Sequence, residues 1–203
     1  AAIWISGSEG NGQHWSTSVI SHEMGHWSMH SFSRTPGEGG VHYVAGVTKP
    51  ALAYSEGWAS AFGQWNESAP SDGAWNPVYL DYRGPTTYFV DLGKLTWNGG
   101  TLTGPGKDAK LDAPLNEFVI ASLLFRLAAA KDAVPDAQAL GFESLLRAAA
   151  SERLVGPLGR GYFRIDLLDL LDAGRCTGAL PEGAIGALAA SHLYPWDANP
   201  RCE

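Results

Sequence analysis

Three side chains near the amino-terminal end of this 203-residue chain carry the strongest chemical signal: His22 and His26, four positions apart, and Glu23 between them, in the run His22-Glu23-Met24-Gly25-His26. On an α-helix, residues four apart share a face with their Cα atoms about 6 Å apart along the axis, so both imidazoles can converge on one ion. Zinc suits such a pair. Glu23, beside that face, can take a proton from a water the metal activates and hand it to a leaving amine, the acid–base work of peptide hydrolysis. Two solvated or buried histidines with a surface glutamate would give the same pattern without chemistry. A third ligand decides between the readings, because catalytic zinc takes three protein ligands and leaves one position open.

Three residues offer themselves. His30 continues the histidine row but lies about 12 Å along the axis from His22, too far for a straight helix to bring all three rings onto one ion, and is rejected. His42 stands in a glycine-rich loop, Gly39-Gly40-Val41-His42-Tyr43, that permits close approach but places the ring loosely. Glu56 is the stronger candidate: it falls in the middle of a second predicted helix, among Ala, Gly and Trp, where an acid is otherwise out of place.

The segment Ser55-Glu56-Gly57-Trp58-Ala59-Ser60-Ala61-Phe62 resembles the Glu-Gly-Trp-Ser-Asp-Phe stretch of fungalysin-type metallopeptidases, in the gluzincin clan that includes thermolysin-like enzymes. With the His-Glu-x-x-His run, the likeness covers roughly residues 15 to 66. It implies that His22, His26 and Glu56 hold Zn2+, that Glu23 is the catalytic acid/base, and that the chain is an endopeptidase acting on protein or peptide substrates. The metzincin pattern is excluded, because the positions three and six after His26 are Met29 and Phe32 rather than Gly and His. Asn116 to Phe125 is similar to the helix following the glutamate helix in such enzymes. An ordinary buried helix would read the same way, so neither Asn116 nor Glu117 is assigned a role.

Two departures stand out. Ser60 occupies the place of an aspartate that supports a zinc-binding histidine in the family, which bears on metal affinity. Only about 20 residues precede His22, where the family has a β-subdomain; Ala2–Ile5 is the one strand that could align a substrate there. An oxyanion donor of Tyr or His type is expected, with His42, Tyr43, Tyr82 and Tyr88 as candidates. The Gly39–His42 run is similar to a stretch carrying the transition-state histidine in thermolysin-like enzymes. There it follows the ligand glutamate and here it precedes it, so the likeness is treated as accidental.

These residues need a scaffold, and the expected one is a mainly α (α+β), zincin-like single domain over 1–203. Residues 1–66 supply a strand, the active-site helix 16–31 and the glutamate helix 51–65, started by Pro50. Residues 67–113 read as irregular loops with short strands near 79–82 and 88–90, and a short strand is predicted at 41–44. Residues 114–203 read as helical: a helix capped by Asp112 near Pro114, then helices near 136–150, 161–173 with Gly174 as a stop, and 181–191. In the first helix Trp15, Val19, Ile20, Met24 and Trp27 fall on an apparent apolar side. Trp15, Trp27 and Trp58 are expected in the core.

A net charge of −7 with Lys and Arg scattered along the chain argues against nucleic acid. No apolar run approaches the roughly 20 residues a membrane helix needs. Cys176 and Cys202 could close a disulfide in an oxidising compartment, and a secreted protein is expected. The start at Ala-Ala-Ile suggests a processed or truncated form, with a preceding segment or pro-segment outside it. Asp72, Asp81 and Asp91 match no calcium loop and read as solvated surface acids. The alternatives are a zinc exopeptidase or other zinc hydrolase on the same site, and a non-catalytic metal-containing binding module.

Overall fold

Helix α1 (Thr17–Phe32) begins where the Ser16 hydroxyl accepts a hydrogen bond from the Val19 amide, and α2 (Pro50–Glu67) begins at a proline whose missing N–H costs nothing in a first turn. The structure is a computed structural model and describes Ile3, Ile5, residues 16–68, 77–83, 86–129, 140–156, 160–198 and Cys202. The two helices run antiparallel. Ser18 Oγ donates to Glu67 Oε2 (2.8 Å) at one end, and Trp58 Nε1 donates to Ser28 Oγ (3.1 Å) nearer the other.

The predicted apolar side of α1 is not its buried face. Met24 and Trp27 are half exposed, whereas Ser18, His22, Gly25, Ser28 and Met29 are buried. Close packing explains the inversion: a Cβ on Gly25 would lie 2.6 Å from Ala59 Cα, so small residues set the α1–α2 separation and larger apolar ones are left outside. On its other side α2 meets α3 (Glu117–Ala129) just as closely at Gly57, where a Cβ would lie 2.7 Å from Glu117 O. Trp58 and nearly all of α3 are fully buried, and this three-helix layer is the heart of the core.

Between α2 and α3 the expected irregular region contains a regular antiparallel meander: β1 (Val78–Arg83), β2 (Thr86–Asp91), β3 (Thr96–Trp97) and β4 (Gly100–Thr101), in the order β1-β2-β3-β4. Register runs from Val78 opposite Asp91 to Arg83 opposite Thr86. The molecule is therefore mixed helix and sheet, and among the described residues the sheet follows the glutamate helix. The predicted strand Ala2–Ile5 and Trp15 fall largely outside the described residues.

The predicted strand at 41–44 is absent. Gly46 N bonds back to Tyr43 O (2.8 Å), and the Asn116 side chain donates to Val44 O and Gly46 O (both 2.7 Å), so a side chain takes the carbonyls that a ladder would use. Asn116 rather than Asp112 caps α3, its Oδ1 accepting from Phe118 N (2.8 Å).

Among the described residues the remaining helices are α4 (Gly141–Ala149), the single turn α5 (Glu152–Val155), α6 (Leu167–Thr177) and α7 (Glu182–Ser191). Asp166 and Asp169 form a reciprocal cap on α6. Gly174 lies inside α6, pressed on Leu180, and the helix ends instead at Gly178 with φ 72°. Cys176 and Cys202 are joined by a disulfide. Among the described residues no helix is long and apolar enough to cross a membrane.

Candidate metal centre

The backbone contacts of α1 with α2 put one turn of each helix face to face, and three side chains meet there. His22 Nε2 lies 3.2 Å from Glu56 Oε2, His26 Nε2 lies 3.2 Å from the same oxygen, and the two Nε2 atoms are 3.1 Å apart. His22 and Glu56 are buried and His26 half-buried, and the three form a group that could hold a metal ion. Ligands about 2.05 Å from a tetrahedral ion stand about 3.3 Å from one another. The observed triangle is close to one face of such a tetrahedron.

The other imidazole nitrogens are occupied in a way that turns both Nε2 atoms inward. His22 Nδ1 is 3.0 Å from Ser60 Oγ, and His26 Nδ1 is 3.4 Å from Ser55 Oγ. Ser60 thus stands where an acid was expected, and gives His22 an uncharged acceptor. Electrostatics favour a cation at the centre. Burial would push the Glu56 carboxyl up, but the hydrogen bonds from His22 and His26 and their charges hold it well below the usual carboxylate range. Burial pulls His26 down, yet the hydrogen bond and charge of Glu56, with the charge of Glu23, leave its pKa above 6.5. Both shifts favour a negative Glu56 facing positive charge, the setting that a bound cation would also meet.

The centre opens into a cavity of about 250 Å³, also lined by Glu23, His42, Tyr79, Asp81 and Glu117. Glu23 lies on its wall without belonging to the triangle. His42, one of several open readings in the sequence, reaches across from the 33–49 loop. Its Nε2 is 3.6 Å from Glu56 Oε2, and its Nδ1 is 2.8 Å from Glu117 Oε2, which is itself buried. Tyr43 and Tyr88 line a neighbouring cavity instead. Tyr82 lies in β1, with its side chain outside the description. His30 is exposed in the last turn of α1 and is not part of the triangle.

Sequence reasoning left Glu117 without a role and misread Asp81, which is 4% exposed and lines the cavity rather than facing solvent. For Glu117 a signal existed: it opens a helix whose next eight residues are all apolar or small, and a glutamate there needs a partner. Asp91 binds the Gly93 and Lys94 amides in a turn (2.9 and 3.0 Å), and Asp72 lies outside the described residues. His192, which drew no comment in the sequence, is buried between Ser122 and Leu188 O, and burial pulls its pKa down to about 4, so it is a neutral core group.

Comparison with models of protein families, with curated proteins and with solved structures gives no match.

Proposed function

We propose that the chain is a secreted zinc-dependent endopeptidase of gluzincin type with a zincin-like fold. The observation that carries this reading is the near-tetrahedral triangle of His22 Nε2, His26 Nε2 and Glu56 Oε2 in a cavity whose wall also holds Glu23. Two neutral imidazoles and one carboxylate suit zinc and leave a coordination position for chemistry. When bound there, the ion supplies a Lewis acid that activates water and polarises a peptide carbonyl.

The chain's own residues supply the rest. Glu23 is the proton carrier: it accepts the proton of the attacking water and delivers it to the leaving nitrogen, so no covalent intermediate is needed. His42 is the oxyanion donor among the four candidates, since Glu117 fixes its Nδ1 and leaves Nε2 directed into the cavity. Ser60 and Ser55 keep the ligand rings in the required tautomer. The Cys176–Cys202 disulfide supports an oxidising, extracellular setting.

The test is hydrolysis of casein by the zinc-loaded chain and by Glu23→Ala. The reading expects cleavage by the parent and a loss of at least about a hundredfold in the variant, with folding unchanged. Zinc bound without any cleavage of unfolded protein favours a non-catalytic binding module; cleavage confined to peptide ends favours an exopeptidase.

A further inference from the structure

His42 stands in a segment that apolar burial does not hold. Its sequence neighbours Val41 and Tyr43 are 85% and 60% exposed, and a Cβ added to Gly39 would meet nothing within 4 Å. At its start the segment is tied to another loop, where Arg164 Nη1 donates to Pro36 O (3.3 Å) and Gly37 O (2.9 Å). From there to His42 the chain has no core to lean on, and polar contacts further along must bring the ring to the metal cavity.

Asn116 supplies them. It is 3% exposed, and its amide is engaged on both sides: Nδ2 donates to Val44 O and Gly46 O, both at 2.7 Å, and Oδ1 accepts from Phe118 N at 2.8 Å. A flipped amide would set its oxygen against two carbonyls and its NH2 against an N–H, so the network fixes the orientation. Asn116 directly precedes Glu117, and Val44 follows closely on His42. Consecutive side chains at the start of α3 therefore grip one short stretch twice. Asn116 holds its backbone, and Glu117 holds the His42 ring at Nδ1 (2.8 Å). The other ring nitrogen, Nε2, is thereby left 3.6 Å from Glu56 Oε2, at the metal triangle.

We infer that Asn116 is a positioning residue for His42: by locking the 43–46 turn to the helix that carries Glu117, it keeps one ring nitrogen on that carboxylate and the other in the metal cavity. What the placed ring then does rests on the peptidase reading above. The carboxylate alone is not enough, because a single hydrogen bond to a ring on an exposed stretch lets the chain beneath the ring shift. A displacement of about 1 Å in a reacting group can cost about a hundredfold in rate.

The experiment uses the zinc-loaded chain carrying Asn116→Ser, which keeps a hydroxyl to cap α3 but is too short to reach Val44 O and Gly46 O. Asn116→Asp is the second variant; it keeps the cap and sets an acceptor against the two carbonyls. Circular dichroism and zinc stoichiometry confirm that each chain is folded and loaded. Nitrogen NMR on chains labelled in the histidine ring reads His42, whose signals are those missing from His42→Ala. The parent is expected to show a His42 Nδ1–H that exchanges with water at least tenfold more slowly than in either Asn116 variant. Equal exchange, or no such signal in the parent, overturns the inference. On a casein-derived peptide, Asn116→Ser should lower kcat at least about tenfold with KM within about twofold, yet cost no more than about twofold in the His42→Ala background. A loss of the same size in both backgrounds overturns the inference, because Asn116 would then act other than through His42. No cutting by the parent overturns the peptidase reading, while the ring signal still decides whether Asn116 places His42.

Discussion

Gly25 and Ala59 touch backbone to backbone: a Cβ added to Gly25 would lie 2.6 Å from Ala59 Cα and 2.7 Å from Ala59 O. This contact sits one residue before His26 and three after Glu56, so it sets the distance between the two halves of the metal triangle. Gly25→Ala cannot be absorbed by a flexible side chain. The helices must move apart, at a cost of about 1–3 kcal/mol. Thermal denaturation should show that loss, and zinc stoichiometry measured on the folded variant should drop below that of the parent.

Ser60→Ala removes the acceptor of the buried His22 Nδ1–H and little volume. Loss of such a supporting hydrogen bond typically weakens metal affinity about 10- to 100-fold. Competition with a chelator of known affinity measures it. Unchanged affinity would mean that Ser60 only fills space.

His42 and Glu117 act as one unit in this account, 2.8 Å apart. His42→Ala and Glu117→Gln should each lower kcat at least about tenfold while zinc content stays at the parent's value. The double variant should be little worse than either single one, as for any pair acting through one contact. Additive losses would show that the two residues act separately.

The meeting of His22, His26 and Glu56 was legible because it depends on local order: a four-residue spacing on a helix, and an acid on a second helix too apolar to hold one by chance. Pro50 marked the start of the second helix for an equally local reason. What escaped was set by tertiary contact. Met24 and Trp27 looked like core by periodicity, but Gly25 against Ala59 brings the helices so near that only small residues fit between them. The 41–44 segment has strand-forming residues, yet Asn116, more than 70 residues on, captures its carbonyl at Val44. Glu117 and His42 are 75 residues apart and share no local pattern, so their pairing could be seen only in the fold.

Asp166 gives a pH signature independent of the metal. Burial, reinforced by the charge of Asp169, pushes its pKa up to about 8, from 3.8 for a free carboxyl. The folded chain therefore binds more protons than the unfolded chain between about 4 and about 8, and this group's contribution falls as pH rises through that window, by up to about 1.4 kcal/mol per pH unit. Asp166→Asn keeps an acceptor for the Leu168 and Asp169 amides and removes the titration. Denaturant unfolding at pH 5 and pH 8 should show a smaller loss of stability in the variant than in the parent. Equal losses would place the titration elsewhere.

The proposed function stands on an ion that His22, His26 and Glu56 could hold. Its most direct test is zinc stoichiometry by native mass spectrometry on the parent chain and on Glu56→Ala, with the fold of both checked by circular dichroism. The account predicts one zinc per parent chain and none retained by folded Glu56→Ala at equal free zinc. A parent that binds no zinc, or a Glu56→Ala chain that holds it as tightly as the parent, would contradict it.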